Sequence, residues 1–367
     1  MSITTGCRAE VVGSMLRPEP LHRAKTALAA GTISVAEFKF IEDRAVDQAI
    51  AVQEAAGVDV VTDGEFRRGV FTGPLTESIT GYEYVPGVTR NWYTDEGPIE
   101  EELPLVITGK LTSLRSMVTE EYTYARARAT RPVKATVPSP LMTFLRWSPR
   151  HAPSEYRDAF EMAADAVRIV KSEIRELTAL GCQYVQIDAP EIATLVQQET
   201  RDWYEKQGIP TDRMLSEGLD LINSVTDIPG PTYGIHLCRG NSAGRWMASG
   251  GYDHIAEALF RRGTGFDRFL LEYDDQRSGS FAPLAAAPDG KMVVLGLVSS
   301  KKAAVETVEE LEKRVKEAAN VLPLELLAIS TQCGFASVAS GNPDVSEKIQ
   351  AAKLSVVAET ARALWND

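Results

Sequence analysis

A chain of 367 residues, 44% hydrophobic and 25% charged, is long enough to bury either one large core or two ordinary ones. Its net charge of −12 argues against nucleic acid or an anionic membrane surface as a general partner, because both select a basic face; a local basic pocket is still compatible. No apolar run approaches the ~20 residues of a bilayer span, and MSITTGCRAEVV lacks a basic segment followed by an apolar one.

Short strand-like runs alternate with longer helix-like segments along the chain, a rhythm that favours α/β. The first run is AEVVGS (9–14), followed by a helical stretch through EFKFIEDRAVDQAIAVQEAAG that ends at Gly57. Next come VDVVTDGE (58–65) and an irregular excursion over about 66–132, with turn signals and the alternation of short strands. The rhythm resumes with VKATVPSP (133–140), a helix through YRDAFEMAADAVRIVKSEIRELTALG, and CQYVQIDAP (182–190). Four more runs follow: TYGIHLC (232–238), RFLLEYD (268–274), KMVVLGLV (291–298) and LLAISTQCGF (326–335), before a last helix through SEKIQAAKLSVVAETARALW. Eight such units predict a (β/α)8 TIM barrel with an inserted excursion between strands 2 and 3. The rival is a doubly wound open sheet, and its dinucleotide-binding version is weakened because no G-x-G-x-x-G follows the first strand. No Pro-, Gly- or Ser-rich linker divides the chain, so residues 1–367 read as a single domain.

In a barrel, catalytic groups gather where the strands end. The expected ends carry Ser14, Asp63 and Glu65, Ser139, Asp188, His236 and Cys238, Glu272 with Asp274 and Asp275, and Cys333. On a strand, His236 and Cys238 point to the same face, which lets both reach one ion. Two cysteines, one histidine and one glutamate form a zinc-type donor set, and a thiol on Zn²⁺ loses its proton near neutral pH without a dedicated base. That chemistry points to alkyl transfer to sulfur. An H-x-C pair on an apolar strand also fits a buried histidine beside a structural cysteine. Cys182 reads as core and Cys7 as incidental, while His22, His151 and His254 fall in helical or loop contexts. Asp63, Asp274 and Asp275 suit loop and cap positions. Four widely spaced cysteines make no disulfide framework and fit a reducing compartment, so the expected setting is the cytoplasm.

VGSMLRP (12–18), VVTDGEFRRG (60–69), VPSPLMTFLRWS (137–148), YVQIDAPEIA (184–193), IHLC (235–238), FLLEYD (269–274) and STQCGF (330–335) together resemble the catalytic C-terminal domain of cobalamin-independent methionine synthase. The resemblance spans essentially the whole chain. It implies a zinc-dependent barrel that methylates the thiol of homocysteine, with ligands His236, Cys238, Glu272 and Cys333. It also implies homocysteine contacts at the Val12 backbone, Ser14, Glu65 and Asp188, and Trp147 beside the methyl donor. The expected partners are therefore a small thiol and an alkyl donor, either methyltetrahydrofolate or methylcobalamin. The connection between Cys238 and Glu272 is longer than the family's, and further departures fall on the donor side. The family's duplicated N-terminal half has no counterpart, Ala189 replaces a glutamate, and Ser299 and Ser300 stand where a histidine follows strand seven. Two alternatives follow: a thiol alkyltransferase of the epoxyalkane:coenzyme M transferase type, and a zinc- or ligand-binding protein without turnover.

Overall fold

Seven of the eight expected strands form one parallel sheet in the computed structural model, which describes residues 3–86 and 88–365. They are β1 (Ala9–Glu10), β6 (Ala135–Pro138), β7 (Tyr184–Asp188), β8 (Thr232–Leu237), β9 (Arg268–Glu272), β10 (Met292–Val298) and β11 (Leu327–Thr331), in the spatial order β1-β11-β10-β9-β8-β7-β6. β7, β9, β10 and β11 are buried at every residue, which is why they read as unbroken apolar runs instead of alternating ones.

The remaining predicted strand, 58–65, pairs only through single parallel bridges, Glu10 with Val60 and Val61 with Val133. The Asp59 amide donates to Ala9 O at 2.8 Å, and the Lys134 amide to Val61 O at 3.0 Å. Residues 60–61 therefore touch both edges of the sheet, and the sheet must curl for them to do so.

The helices are α1 (Glu19–Ala29), α2 (Val35–Ala56), α3 (Thr119–Arg128), α4 (Ala159–Ala179), α5 (Gln198–Lys206), α6 (Ala256–Arg262), α7 (Val308–Ala318) and α8 (Glu347–Trp365). α2 starts at a reciprocal capping box between Ser34 and Glu37 and stops at Gly57, whose φ of 89° suits only glycine well. Its Ala45, Val46, Ala49 and Ile50 stripe faces the core. α4 and α7 open on side-chain caps from Asp158 and Thr307. Between β9 and β10 there are only short helical turns. Among the described residues, no helix is long and apolar enough to cross a membrane.

The excursion after residue 66 contains β2 (Tyr82–Tyr84), β3 (Thr89–Thr94), β4 (Gly97–Glu102) and β5 (Leu105–Ile107), paired antiparallel as β2 with β5 and β3 with β4. Tyr93 on β3 exchanges backbone hydrogen bonds with Trp246, at 2.7 and 3.1 Å. The hairpin is thereby tied to the loop that follows β8.

One carboxylate clasps the other end of the sheet. Glu10 on β1 accepts from Lys134 Nζ at 2.6 Å, just before β6, from Arg268 Nη2 at 2.8 Å on β9, and from the Tyr184 hydroxyl at 3.1 Å on β7. The side chains of Glu10, Lys134 and Arg268 are fully buried. Burial raises the Glu10 pKa, but the two cations outweigh it and hold it at about 2. Because this lies below the unfolded value, the stabilisation is complete above pH ~4.5 and is lost as pH falls toward 2. Glu10→Gln leaves two buried cations short of countercharge and is expected to cost about 3–5 kcal/mol. A denaturant midpoint at pH 7 checks this, and a wild-type midpoint would refute the hub.

Candidate metal and substrate site

β8 delivers His236 within the strand and Cys238 just past its end, and Cys333 follows the end of β11. All three are buried, and one ligand atom from each lies within 4.8 Å of the others. The Cys238 and Cys333 sulfurs are 3.5 Å apart. Burial alone would lower the His236 pKa; the Cys333 sulfur and Asp188 reverse this and raise it. The hydrogen bond with Cys238, helped by His236, pulls the Cys333 thiol well below its ordinary value, and the same contact pushes Cys238 up.

The donor set fits a zinc ion. Two thiolates and an imidazole are its preferred ligands, and sulfurs ~2.3 Å from one tetrahedral ion sit about 3.8 Å apart. Neither His236 ring nitrogen has a nitrogen or oxygen partner; only the Cys333 sulfur stands beside the buried ring, an arrangement that suits two ligands of one ion better than a histidine that only fills space.

Glu272, the fourth expected ligand, lies at the end of β9 and is engaged elsewhere. Lys301 Nζ donates to its Oε1 at 2.9 Å and the Arg239 amide to its Oε2 at 2.6 Å. Burial works against its charge, yet Lys301 and Arg239 hold its pKa at about 2. Lys301 follows Ser299 and Ser300 at the end of β10. These two serines point away to Asp274 (2.7 Å) and Gln332 (2.8 Å).

Val12, Ser14, Glu65 and Asp188 line the same cavity as the triad, a space of about 210 Å³. The Val12 carbonyl accepts from Gln186 Nε2 at 2.8 Å, and Ser14 Oγ accepts from the Ala336 amide at 3.2 Å. Glu65 has a φ of 58°, a left-handed conformation that a non-glycine residue adopts at a cost. That backbone, anchored by its amide on Asp63 Oδ1 at 2.9 Å, turns the carboxylate inward onto Thr136 Oγ1 at 2.8 Å. Gly13 makes room for it, since a Cβ there would stand 2.7 Å from Glu65 Oε1. Burial pushes the Asp188 carboxyl up to about 7, with His236 opposing and Glu65 adding to the shift.

The outer wall was not evident from sequence. Trp92 and Arg90 on β3, Tyr82 on β2, and Phe71, Met142 and Arg146 line it. Trp147, expected beside the donor, is buried in the main core and does not line the cavity. The alternation of TRNWYT, which puts Arg90 and Trp92 on one face of β3, was the available signal. Cys7 and Cys182 are buried free thiols outside the triad.

The chain matches the family profile described as cobalamin-independent synthase, catalytic domain, at residues 8–215 and 263–354. It belongs to that family. It is 34% identical to the uncharacterized protein YxjH of Bacillus subtilis, over 98% of this chain and 94% of that one. It is 23% identical to a 5-methyltetrahydropteroyltriglutamate–homocysteine methyltransferase of Trichodesmium erythraeum, over 88% of this chain but only 40% of that longer protein. A crystal structure from Listeria monocytogenes, described as a vitamin-B12 independent methionine synthase, superposes with a TM-score of 0.76 at 26% identity over 98% of both chains.

Glu191 offers a pH test of the site's electrostatics. Burial, with Asp188 adding to it, raises this carboxyl to about 8 despite the Ser139 hydrogen bond and Arg90. A carboxyl raised above its unfolded pKa favours folding below pH ~4.5, and that contribution is lost as pH rises to 8. Glu191→Gln should therefore gain stability relative to wild type between pH 5 and pH 8, on the order of 3 kcal/mol. Denaturation at both pH values measures it, and a pH-independent difference refutes the assignment.

Proposed function

We propose that this chain transfers a methyl group to the thiol of homocysteine, with zinc held by His236, Cys238 and Cys333 and with Glu272 as an exchangeable fourth ligand. The observation that carries this reading is the buried triad opening into a cavity that also holds Glu65 and Asp188. We also read residues 60–61 as the eighth place of a (β/α)8 ring, with the chain working as one domain.

Zinc supplies a lowered thiol pKa at neutral pH, making the substrate sulfur nucleophilic. Glu65 and Asp188 hold the substrate ammonium beside the triad, and Ser14 lies at its carboxylate end. Two carboxylates in this place favour an amino-acid thiol over a sulfonate thiol, which they would repel. Lys301 Nζ and the Arg239 amide hold the Glu272 carboxylate, and would keep it in place if the substrate sulfur stood as the fourth ligand of a zinc ion on the triad. The new S–CH₃ bond forms as the donor's bond to that carbon breaks, and the electron pair leaves with the donor. Fixing sulfur and methyl carbon in line lowers the entropic part of the barrier.

Purified protein is expected to contain one zinc per chain, and Cys333→Ser to lose most of it; unchanged content by metal analysis would sink the ligand assignment. Lys301→Met should leave Glu272 on the metal. Zinc is then retained while homocysteine affinity falls at least tenfold by calorimetry. Unchanged affinity shows that Glu272 and the substrate sulfur do not exchange.

A further inference from the structure

The cavity's outer wall contains a buried cation, Arg90, that forms no ion pair among the described residues. Arg90 is 5% exposed, lines the cavity, and has an Nη1 with no hydrogen-bond partner. Its Nη2 reaches Thr194 Oγ1 at 3.3 Å, and the Tyr204 hydroxyl stands beside the guanidinium. The guanidinium lies over the rings of Trp203 (5.3 Å) and Tyr204 (5.6 Å), which fix its direction.

Arg90 faces Glu101 across the β3–β4 hairpin, the place where an opposite-charge pair normally forms. Glu101 instead pairs with Arg245. Glu191, the nearby acid, stays protonated near neutral pH because of its burial and so supplies little countercharge. Arg146 lines the same cavity, is half-buried, and forms no ion pair among the described residues. Two guanidinium groups therefore face the cavity, and the carboxylates beside Arg90 are either engaged elsewhere or neutral.

We propose that Arg90, assisted by Arg146, is the specificity determinant for the methyl donor, binding an oxyanion group that the donor carries. The inference rests on the homocysteine reading above. In that reading Ser14, Glu65 and Asp188, beside the triad, hold the amino-acid end of the thiol. Arg90 stands on the inserted hairpin next to Thr194 and serves the second substrate. The same charges exclude sulfonium and quaternary ammonium donors, which like-charge repulsion keeps out of a low-dielectric wall. Arginine suits the task because its planar fork takes a carboxylate in two parallel hydrogen bonds.

The test uses the zinc-loaded full chain and two probes, 5-methyltetrahydrofolate, which carries carboxylates, and 5-methyltetrahydropterin, which does not. Calorimetry or tryptophan fluorescence should show the wild type binding the first at least tenfold more tightly than the second. Arg90→Gln should abolish this preference with zinc content and homocysteine affinity unchanged. Arg90→Lys should restore part of it. Arg146→Gln, which leaves the Trp203–Tyr204 stack intact, should reduce the preference several-fold even if Arg90→Gln fails to fold. The proposal is overturned if both glutamine variants keep the wild-type preference, if Arg90→Gln weakens homocysteine instead of the donor, or if trimethylsulfonium, which carries no oxyanion, supports turnover as well as the folate does. A carboxylate preference that persists in protein lacking zinc and homocysteine binding would uphold the oxyanion site and remove the homocysteine reading.

Discussion

The buried carboxylate of Glu10 is the constraint on which the rest depends. It joins β1 to the segment before β6, to β7 and to β9, while its own residue bridges to Val60. A flat parallel sheet cannot satisfy these contacts together, because β1 and β6 would stand at opposite edges of seven strands. With ~4.8 Å between neighbours, that separation is about 29 Å. Lys134, bonded to Glu10 at 2.6 Å, lies just before the far edge strand. The sheet therefore has to curl, and the charge cluster sits inside the curve.

Curling makes the candidate site possible. Cys238 follows β8 and Cys333 follows β11, and these strands are three places apart in the sheet. In a flat sheet the spacing is about 14 Å, well beyond the reach of two cysteine side chains. The observed sulfur separation is 3.5 Å. Their separation of 95 positions in sequence gives no hint of this contact, which is a consequence of topology. Glu272, at the end of the intervening β9, is held by Lys301, which follows the end of β10. The site therefore has three clustered donor side chains, His236, Cys238 and Cys333, and a Glu272 carboxylate restrained at the end of β9.

Much of this was legible because the relevant signals are local. Buried parallel strands appear as short apolar runs, and Ser34, Thr307 and Gly57 mark helix ends by their own chemistry. His236 and Cys238 share a face through strand periodicity alone. Other features depend on contacts between distant segments. The 58–65 run makes only single bridges, and its polar end turns at Asp63 and Gly64 into the left-handed Glu65. Trp147 is apolar and close in sequence to strand-end residues, yet it packs into the core. The outer wall comes from a hairpin whose place is set by Trp246 on another loop. Lys301 was hidden for the same reason: its partner is 29 residues earlier, on a neighbouring strand.

The two ends of the sheet differ in how their buried polar groups are satisfied. At the Glu10 end, one carboxylate is matched by a lysine, an arginine and a tyrosine at hydrogen-bonding distance, as a purely structural cluster requires. At the mouth, both His236 nitrogens, Arg90 Nη1 and Glu191 Oε2 are buried without nitrogen or oxygen partners, and Asp188 and Glu191 have raised pKa values. Each such group costs stability that packing could have avoided. On the proposed reading, a metal would complete the imidazole and sulfurs, an ammonium Asp188, and an oxyanion Arg90; all of these side chains line the cavity. Satisfied charge holds the fold closed at one end, and unsatisfied charge at the other defines what the cavity takes in.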